Sequence, residues 1–289
     1  MVGLVIKGYS GKCNNMLTFE MESRLMDYPR EDIGQGDPTT ALTPQKECIA
    51  KIFANEPCTL AGIEEISFIL KKSGLQVKQH KKDGQQARRH EMVIEIFGNN
   101  RKILPLERTC LNMIGRMSGV ATLCSLAKKI AAKETIAVTR KTVPGFQLLD
   151  KKAAEVAGCW THRKNLAEMV LLKDNHLHFF QSAGAAAKRA HELSGEFEIE
   201  VENEYDAREV AKYNPTIIML DNFTPKDAKK TIRVLRKGGF GGKIELSGGI
   251  RLSNLKKYTG LGADIISMGE LTKKAKIVDF SLDISEIEK

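Results

Sequence analysis

Arg140, Lys141, His162, Arg163 and Lys173 fall within one stretch of the chain, TRKTVPGFQLLDKKAAEVAGCWTHRKNLAEMVLLKDNH, Thr139 to His176. Each stands at the end of an apolar segment, where convergence would bring like charges together. Such an arrangement calls for a strongly anionic occupant. Acids follow further along. In EIEVENE, the residues Glu198, Glu200, Glu202 and Glu204 alternate, and on a strand they would share one face. A dry face of unpaired carboxylates costs on the order of several kcal/mol per charge. That face is therefore either solvated or paired with cations and a metal. Asp221 closes the apolar run of MLDN, a common place for a carboxylate that binds ribose hydroxyls or magnesium. Ser247, Gly248 and Gly249 in ELSGGI precede a helix start, where glycines let backbone N–H groups approach a phosphate. SMGEL, with Gly269, repeats the pattern one unit later.

Taken singly, each motif has an ordinary reading: TRKT as a basic surface turn, EIEVENE as an exposed edge strand, SGG as a turn. LLKDNH changes the balance, because Lys, Asp, Asn and His directly after an apolar run are an unusual density of polar groups. The combined inventory is cations for an anion, carboxylates for magnesium or ribose, and glycine loops for a phosphate. It describes a site for a phosphorylated sugar and an acid.

Elements must bring these residues together. Short apolar or β-branched runs recur at Thr135–Val138, Met169–Leu172, Glu198–Val201, Ile217–Leu220, Lys243–Leu246 and Ile265–Met268. Between most of them lie segments of helical period, such as Gly184–Leu193 and Thr224–Lys237, the latter opened by Thr224 and Pro225 in N-cap and N1 positions. Six such βα units in series favour a barrel over an open sheet, and a barrel gathers its strand C-terminal ends on one face. The first half of the chain reads differently. Met16–Tyr28 and Gly62–Ser73 predict helices, Glu91–Phe97 a strand, and Leu106–Ala132 a long helical stretch, so residues 1–115 form a separate domain of mixed α and β character.

Composition excludes several classes. Hydrophobic residues make up 42% and charged residues 28%, an ordinary globular balance. The cysteines at 13, 48, 58, 110, 124 and 159 are scattered with no CxxC pair, which speaks for a reducing compartment and against disulfides or a zinc site. MVGLVIKGYSGK has too short an apolar run for a signal peptide, and no stretch approaches the roughly 18 apolar residues of a membrane span. A cytoplasmic location is expected. The formal charge of +9 suits nucleic acid, an acidic membrane surface or small polyanions. The basic runs Lys78–His90 and Lys229–Lys243 read as solvated faces, and no aromatics interleave to stack on bases.

The chain resembles the quinolinate phosphoribosyltransferase family over essentially its whole length. The resemblance rests on EDIGQGDPTT (Glu31–Thr40), LERTCLNMIGRMSGVAT (Leu106–Thr122), TRKTVPG, the His162–Arg163 pair, LLKDNH, IEVE, MLDN, LSGGI and SMGELT, in order. It implies an α/β fold: an N-terminal α/β sandwich domain (1–115), an incomplete TIM-type βα barrel (116–275), and a tail (276–289) returning to the first domain. It implies a transferase that joins quinolinate to 5-phosphoribosyl 1-diphosphate with magnesium. It also implies a homodimer or higher homo-oligomer, in which Arg108 reaches in from the partner subunit. By the same resemblance, Arg140, His162, Arg163 and Lys173 hold the quinolinate carboxylates and Lys141 sits near the donor phosphates. Glu200 and Asp221 bind ribose hydroxyls and magnesium, directly or through water, and Ser247, Gly248, Gly249 and Gly269 cradle the 5′-phosphate. Lys141, Lys173, Glu200 and Asp221 are the expected catalytic set.

The sequence also departs from the family pattern. Ala157, Gly158, Cys159, Trp160 and Thr161 stand where three glycines and an Asn are usual, and Gln147 stands where Arg is frequent. These departures bear on the acceptor more than on the donor. Two other readings stay open: a paralogue using another acid, such as nicotinate or the acceptor of a molybdate-associated relative, and a non-catalytic basic protein that binds nucleic acid. The molybdate-associated relative generally lacks KDNH, and RNA binding would require neither Glu200, Asp221 nor the glycine loops.

Overall fold

The computed structural model describes residues 19–131 and 133–287. The run MVGLVIKGYSGK, Cys13 and the start of the helix expected from Met16 lie outside the described residues. The strands in chain order are β1 (Glu47–Ala54), β2 (Cys58–Thr59), β3 (Gln76–Gln79), β4 (Gln86–Ala87), β5 (Glu91–Asn99), β6 (Thr135–Ala137), β7 (Leu171–Leu172), β8 (Glu198–Val201), β9 (Ile217–Asp221), β10 (Lys243–Ser247), β11 (Ile265–Ser267) and β12 (Phe280–Glu286). They divide between two compact units. One holds 126–147 and 159–273; the other holds 19–125, 148–158 and 274–287.

In the second unit β12, β1, β5 and β3 form a four-stranded sheet in that order, all neighbours antiparallel. On β1 the residues Cys48, Ala50, Ile52 and Ala54 are buried and alternate with more exposed ones, the period of a strand covered on one face. The final strand therefore comes from the end of the chain. Its approach runs over the helix Glu107–Ile130, where Val278 N–H donates to Gly115 O (3.1 Å) and a Cβ at Gly119 would lie only 1.8 Å from Lys276 O. Only glycine admits that contact. The basic run that begins in β3 meets carboxylates of β5: Lys78 and His80 face Glu95, and Lys81 faces Glu91.

The other unit is the six-stranded parallel sheet β6-β11-β10-β9-β8-β7. A further parallel bridge joins Ala137 to Trp160 on the outer side of β6. Ala137 on β6, Ile265 on β11 and Ile217 on β9 share one buried cluster, against which Trp160 and Met169 pack. Strands three places apart thus meet through their interior side chains, as in a sheet curled toward a barrel and left open. Helices alternate with the strands. The helix Pro225–Lys237 begins as its sequence predicts, with the Thr224 side chain accepting from Asp227 N–H (3.2 Å) and Pro225 in its first turn.

Candidate active site

The strand C-terminal ends of the parallel sheet surround a cavity of about 330 Å³. Its wall contains Arg140 and Lys141 after β6, His162 and Arg163 after the Trp160 bridge, Lys173 after β7, Glu200 on β8, Asp221 on β9, and Ser247 on β10. Register explains the meeting. Asp221 pairs with Ser247, and one layer below Glu200 and Glu245 each pair with Met219. Gly248, Gly249 and Gly269 lie in the loops directly after β10 and β11. Arg108 is exposed in the first turn of the helix Glu107–Ile130, in the other unit.

The loops are built to hold this arrangement. Asn222 is left-handed (φ 59°), and its N–H donates to Ser247 O (3.0 Å). Gly248, at φ 85°, lies so close that a Cβ there would stand 2.4 Å from Asn222 N. Glu270 accepts from Leu252 N–H (2.8 Å), joining the loop after β11 to the loop after β10. Gly269 leaves room for Lys141, whose Cδ lies 3.1 Å from where a Cβ would be. In KDNH, the His176 Nδ1 accepts from Lys173 N–H (3.0 Å) and so fixes the turn that carries Lys173.

Charge is distributed unevenly around the cavity. Lys173 Nζ is ion-paired with Glu200 Oε2. Burial raises the Glu200 pKa against the pull of Lys173, and the charge of Asp221 adds to the rise. Arg163 is buried, and burial together with the neighbouring Arg140 charge lowers its pKa. Among the described residues no carboxylate lies within ion-pair distance of Arg140, Lys141 or Arg163. Three cations are left facing the cavity, two of them repelling each other.

His162 behaves otherwise. Its Nε2 lies 3.1 Å from Glu198 Oε2 and 3.3 Å from Glu245 Oε2, and both glutamates are fully buried. Its Nδ1 accepts from Arg163 N–H (2.9 Å). Burial disfavours the imidazolium, but hydrogen bonds and charge from the two glutamates outweigh it and push His162 up to about 9. Acceptance at Nδ1 opposes that rise, because the nitrogen accepts only while it carries no proton. The geometry places one proton on Nε2, between two carboxylates. Burial and the charge of Glu245 raise the Glu198 pKa against the pull of His162.

Glu198 and Glu245 are the functional-layer residues that the motifs did not single out as site residues. Period-two spacing carried the signal: Glu198 stands two before Glu200 and Glu245 two before Ser247, so each projects inward beneath a site residue. Glu202 and Glu204 leave that face, because β8 ends at Val201 and Asn203 caps the next helix. Of the departures, Trp160 stays out of the cavity wall and stacks on His162, with ring centroids 4.7 Å apart. Gln147 donates to Lys164 O, in the loop after Arg163.

A curled parallel sheet with a cation-lined cavity at its strand ends, flanked by glycine loops, defines a βα-barrel protein with a site for anionic substrates. The sequence pattern of the quinolinate phosphoribosyl transferase N-terminal domain matches residues 37–118 and that of the C-terminal domain residues 120–283. The chain belongs to the quinolinate phosphoribosyl transferase family. A relative from Methanocaldococcus jannaschii, named probable nicotinate-nucleotide pyrophosphorylase (carboxylating), is 37% identical over 88% of this chain and 93% of its own. The human nicotinate-nucleotide pyrophosphorylase (carboxylating) is 34% identical over 81% of this chain and 82% of its own. Among solved structures, the nicotinate-nucleotide pyrophosphorylase of Francisella tularensis superposes with a TM-score of 0.86 at 31% identity, covering 94% of this chain and 98% of that one.

Proposed function

We propose that this chain transfers the phosphoribosyl group of 5-phosphoribosyl 1-diphosphate to quinolinate, with loss of CO2, giving nicotinate mononucleotide and pyrophosphate for NAD biosynthesis. The observation that carries this reading is the set of cations on the cavity wall with no carboxylate beside them, Arg140, Lys141 and Arg163, facing the acids Glu200 and Asp221. Quinolinate brings two carboxylates, and the donor brings a phosphate and a diphosphate. Together they offset the repulsion between the cations.

Arg140, Arg163 and Lys173 hold the acceptor carboxylates, which directs the pyridine nitrogen toward the ribose. Lys141 takes the donor phosphates, and Ser247 with the Gly248–Gly249 and Gly269 backbones receives the 5′-phosphate. Glu200 and Asp221 face the ribose and stabilise positive charge at its anomeric carbon as the bond to diphosphate breaks. Their oxygens are also the donor type that magnesium prefers, so magnesium fits here. Bound with the diphosphate, it supplies neutralising charge to the leaving group. Once the ring nitrogen is quaternised, the adjacent C–CO2 bond breaks and its electron pair is stabilised by that nitrogen; a proton then takes the vacated position. No protein nucleophile is required.

A second copy of the chain completes the site in this reading, with Arg108 supplied across the interface. Large apolar side chains support it: Val143, Leu166 and Phe179 are 50%, 67% and 85% exposed on the loops after β6, the Trp160 bridge and β7. The test is pyrophosphate release from phosphoribosyl diphosphate and magnesium, with quinolinate compared against nicotinate. Turnover with quinolinate and CO2 release, abolished by EDTA and restored by added magnesium, is expected. Turnover with nicotinate alone would transfer the fold and donor site to another acceptor.

A further inference from the structure

At the cavity floor lie three coupled titratable groups, of which His162 and Glu245 line the cavity and Glu198 stands behind them. Glu198 and Glu245 are both fully buried, and each approaches His162 Nε2 from its own strand, β8 and β10. Among the described residues neither oxygen of Glu245 has a hydrogen-bond partner, and its closest charged neighbour is His162 Nε2. The opposite ring nitrogen is taken by Arg163 N–H. One face of the ring lies against Trp160 at 31° between planes, and Trp160 is anchored in the cluster of Ala137, Ile217 and Ile265. Every polar atom of the imidazole is thus spoken for inside the protein.

The backbone shows what this clamp supports. His162 has φ 53°, a left-handed conformation uncommon for a residue with a side chain. It persists only where surrounding contacts over-determine it. The next residue is Arg163, whose guanidinium donates to Met169 O (3.1 Å) and lines the cavity beside Arg140. A relaxed turn at His162 would carry Arg163 with it. The buried carboxylates also supply countercharge under two cations that otherwise repel, before any anion arrives.

We propose that Glu198, Glu245 and Trp160 are positioning residues of the acceptor site: they clamp the His162 ring, and the clamped ring holds the turn that presents Arg163 to an acceptor carboxylate. This rests on quinolinate being the acceptor. His162 then contributes to acceptor binding through the position it gives Arg163. Trp160 belongs to the segment Ala157–Thr161 that departs from the family pattern.

The experiment begins with wild-type turnover of quinolinate; its absence would sink the acceptor reading and this inference with it. Glu245→Gln, which removes the charge and keeps the shape, then decides the inference alone. Its quinolinate KM is expected to rise about tenfold or more while the phosphoribosyl diphosphate KM stays within about twofold, the loss typical of a hydrogen bond to a charged group. Emission from Trp160, the single tryptophan of the chain, should change as the stacked ring loosens. Glu245→Asp, which keeps the charge, should recover part of the KM. A wild-type quinolinate KM in Glu245→Gln overturns the proposal, as does an equal rise for both substrates. Should the Glu245 variants fail to fold, the same KM ratio in Trp160→Ala, compared with Trp160→Phe, decides between these outcomes.

Discussion

The two units each bury a set of charges, and the two sets are arranged to opposite ends. In the unit with the antiparallel sheet, the charges close on one another. Arg116 Nε and Nη2 each lie 2.9 Å from an oxygen of the fully buried Asp150, and Nη1 donates to Ala275 O (3.2 Å). Lys152 Nζ lies 2.6 Å from Glu64 and 2.8 Å from Glu65. In the barrel unit the acids gather around His162 and Lys173 at the cavity, while among the described residues no carboxylate lies within ion-pair distance of Arg140, Lys141 or Arg163, which face it. Both sets would look alike in a count of buried ions. What separates a structural cluster from a binding site is which charges are left without a partner, and where those face.

If this distinction is right, substitutions in the two sets should separate turnover from stability. Arg140→Met gives the largest effect. Quinolinate kcat/KM should fall about 10³-fold, or about 4 kcal/mol, as expected when a charged partner of a desolvated anion is removed. Its thermal midpoint should hold or rise, because Arg140 repels Arg163 in the empty site. A lowered midpoint with intact kcat/KM would put Arg140 in the structural class and break the comparison. Arg116→Met should do the reverse. It strands the buried Asp150 carboxylate and should cost about 3 kcal/mol of unfolding free energy, the low end for a broken buried pair because Arg116 is partly exposed. Steady-state constants measured well below the unfolding transition should stay as in the wild type. Denaturant titration alongside kinetics checks both halves.

The same contrast explains what could be read from the sequence. Residues at strand ends were legible, because an abrupt change from apolar to charged marks the end of a buried run: Arg140, Lys173, Glu200, Asp221 and Ser247 all meet at the cavity. The strands that carry them were legible for the same reason, with β8 observed at Glu198–Val201 as expected from its alternation. Glu245 was not. It lies one layer down, and its partners are on β8 and in the His162 turn, so only the register of the sheet reveals that KIEL aims a carboxylate at a histidine. The pairing of β1 with β12 was equally hidden in detail, since it joins segments from opposite ends of the chain. The resemblance implied a returning tail, but no local pattern gave its register. His162 shows the limit most clearly: its place was evident, and its partners were not.

A smaller effect sharpens the donor half. Gly248→Ala would drive a Cβ into Asn222 N at 2.4 Å and place alanine at φ 85°. The loop must shift, so the KM for phosphoribosyl diphosphate should rise about 30-fold, or about 2 kcal/mol of strain and lost contacts, with the quinolinate KM changing little. Equal changes in both constants would mean that the glycine loop serves the whole site and not the phosphate.

The smallest effect tests the closed set from its edge. Asp83 accepts from Ile63 N–H (2.9 Å) and Glu64 N–H (3.4 Å), capping the helix Ile63–Lys72 beside Glu65. Burial and the charge of Glu65 push its carboxyl up to about 7. An unfolded Asp titrates at about 3.9, so between these values the folded state holds a proton that the unfolded state has lost. Stability is therefore fullest below the unfolded value and declines as pH rises through about 7. The residue is only partly shielded from water, which limits the effect to on the order of 1 kcal/mol. Asp83→Asn removes the titrating group and keeps one acceptor for the cap. Between pH 5 and pH 8 its thermal midpoint should fall less than that of the wild type by a few degrees. If the two curves run parallel, Asp83 is already ionised and paired through Lys152, and the closed set is more completely neutralised than its distances indicate.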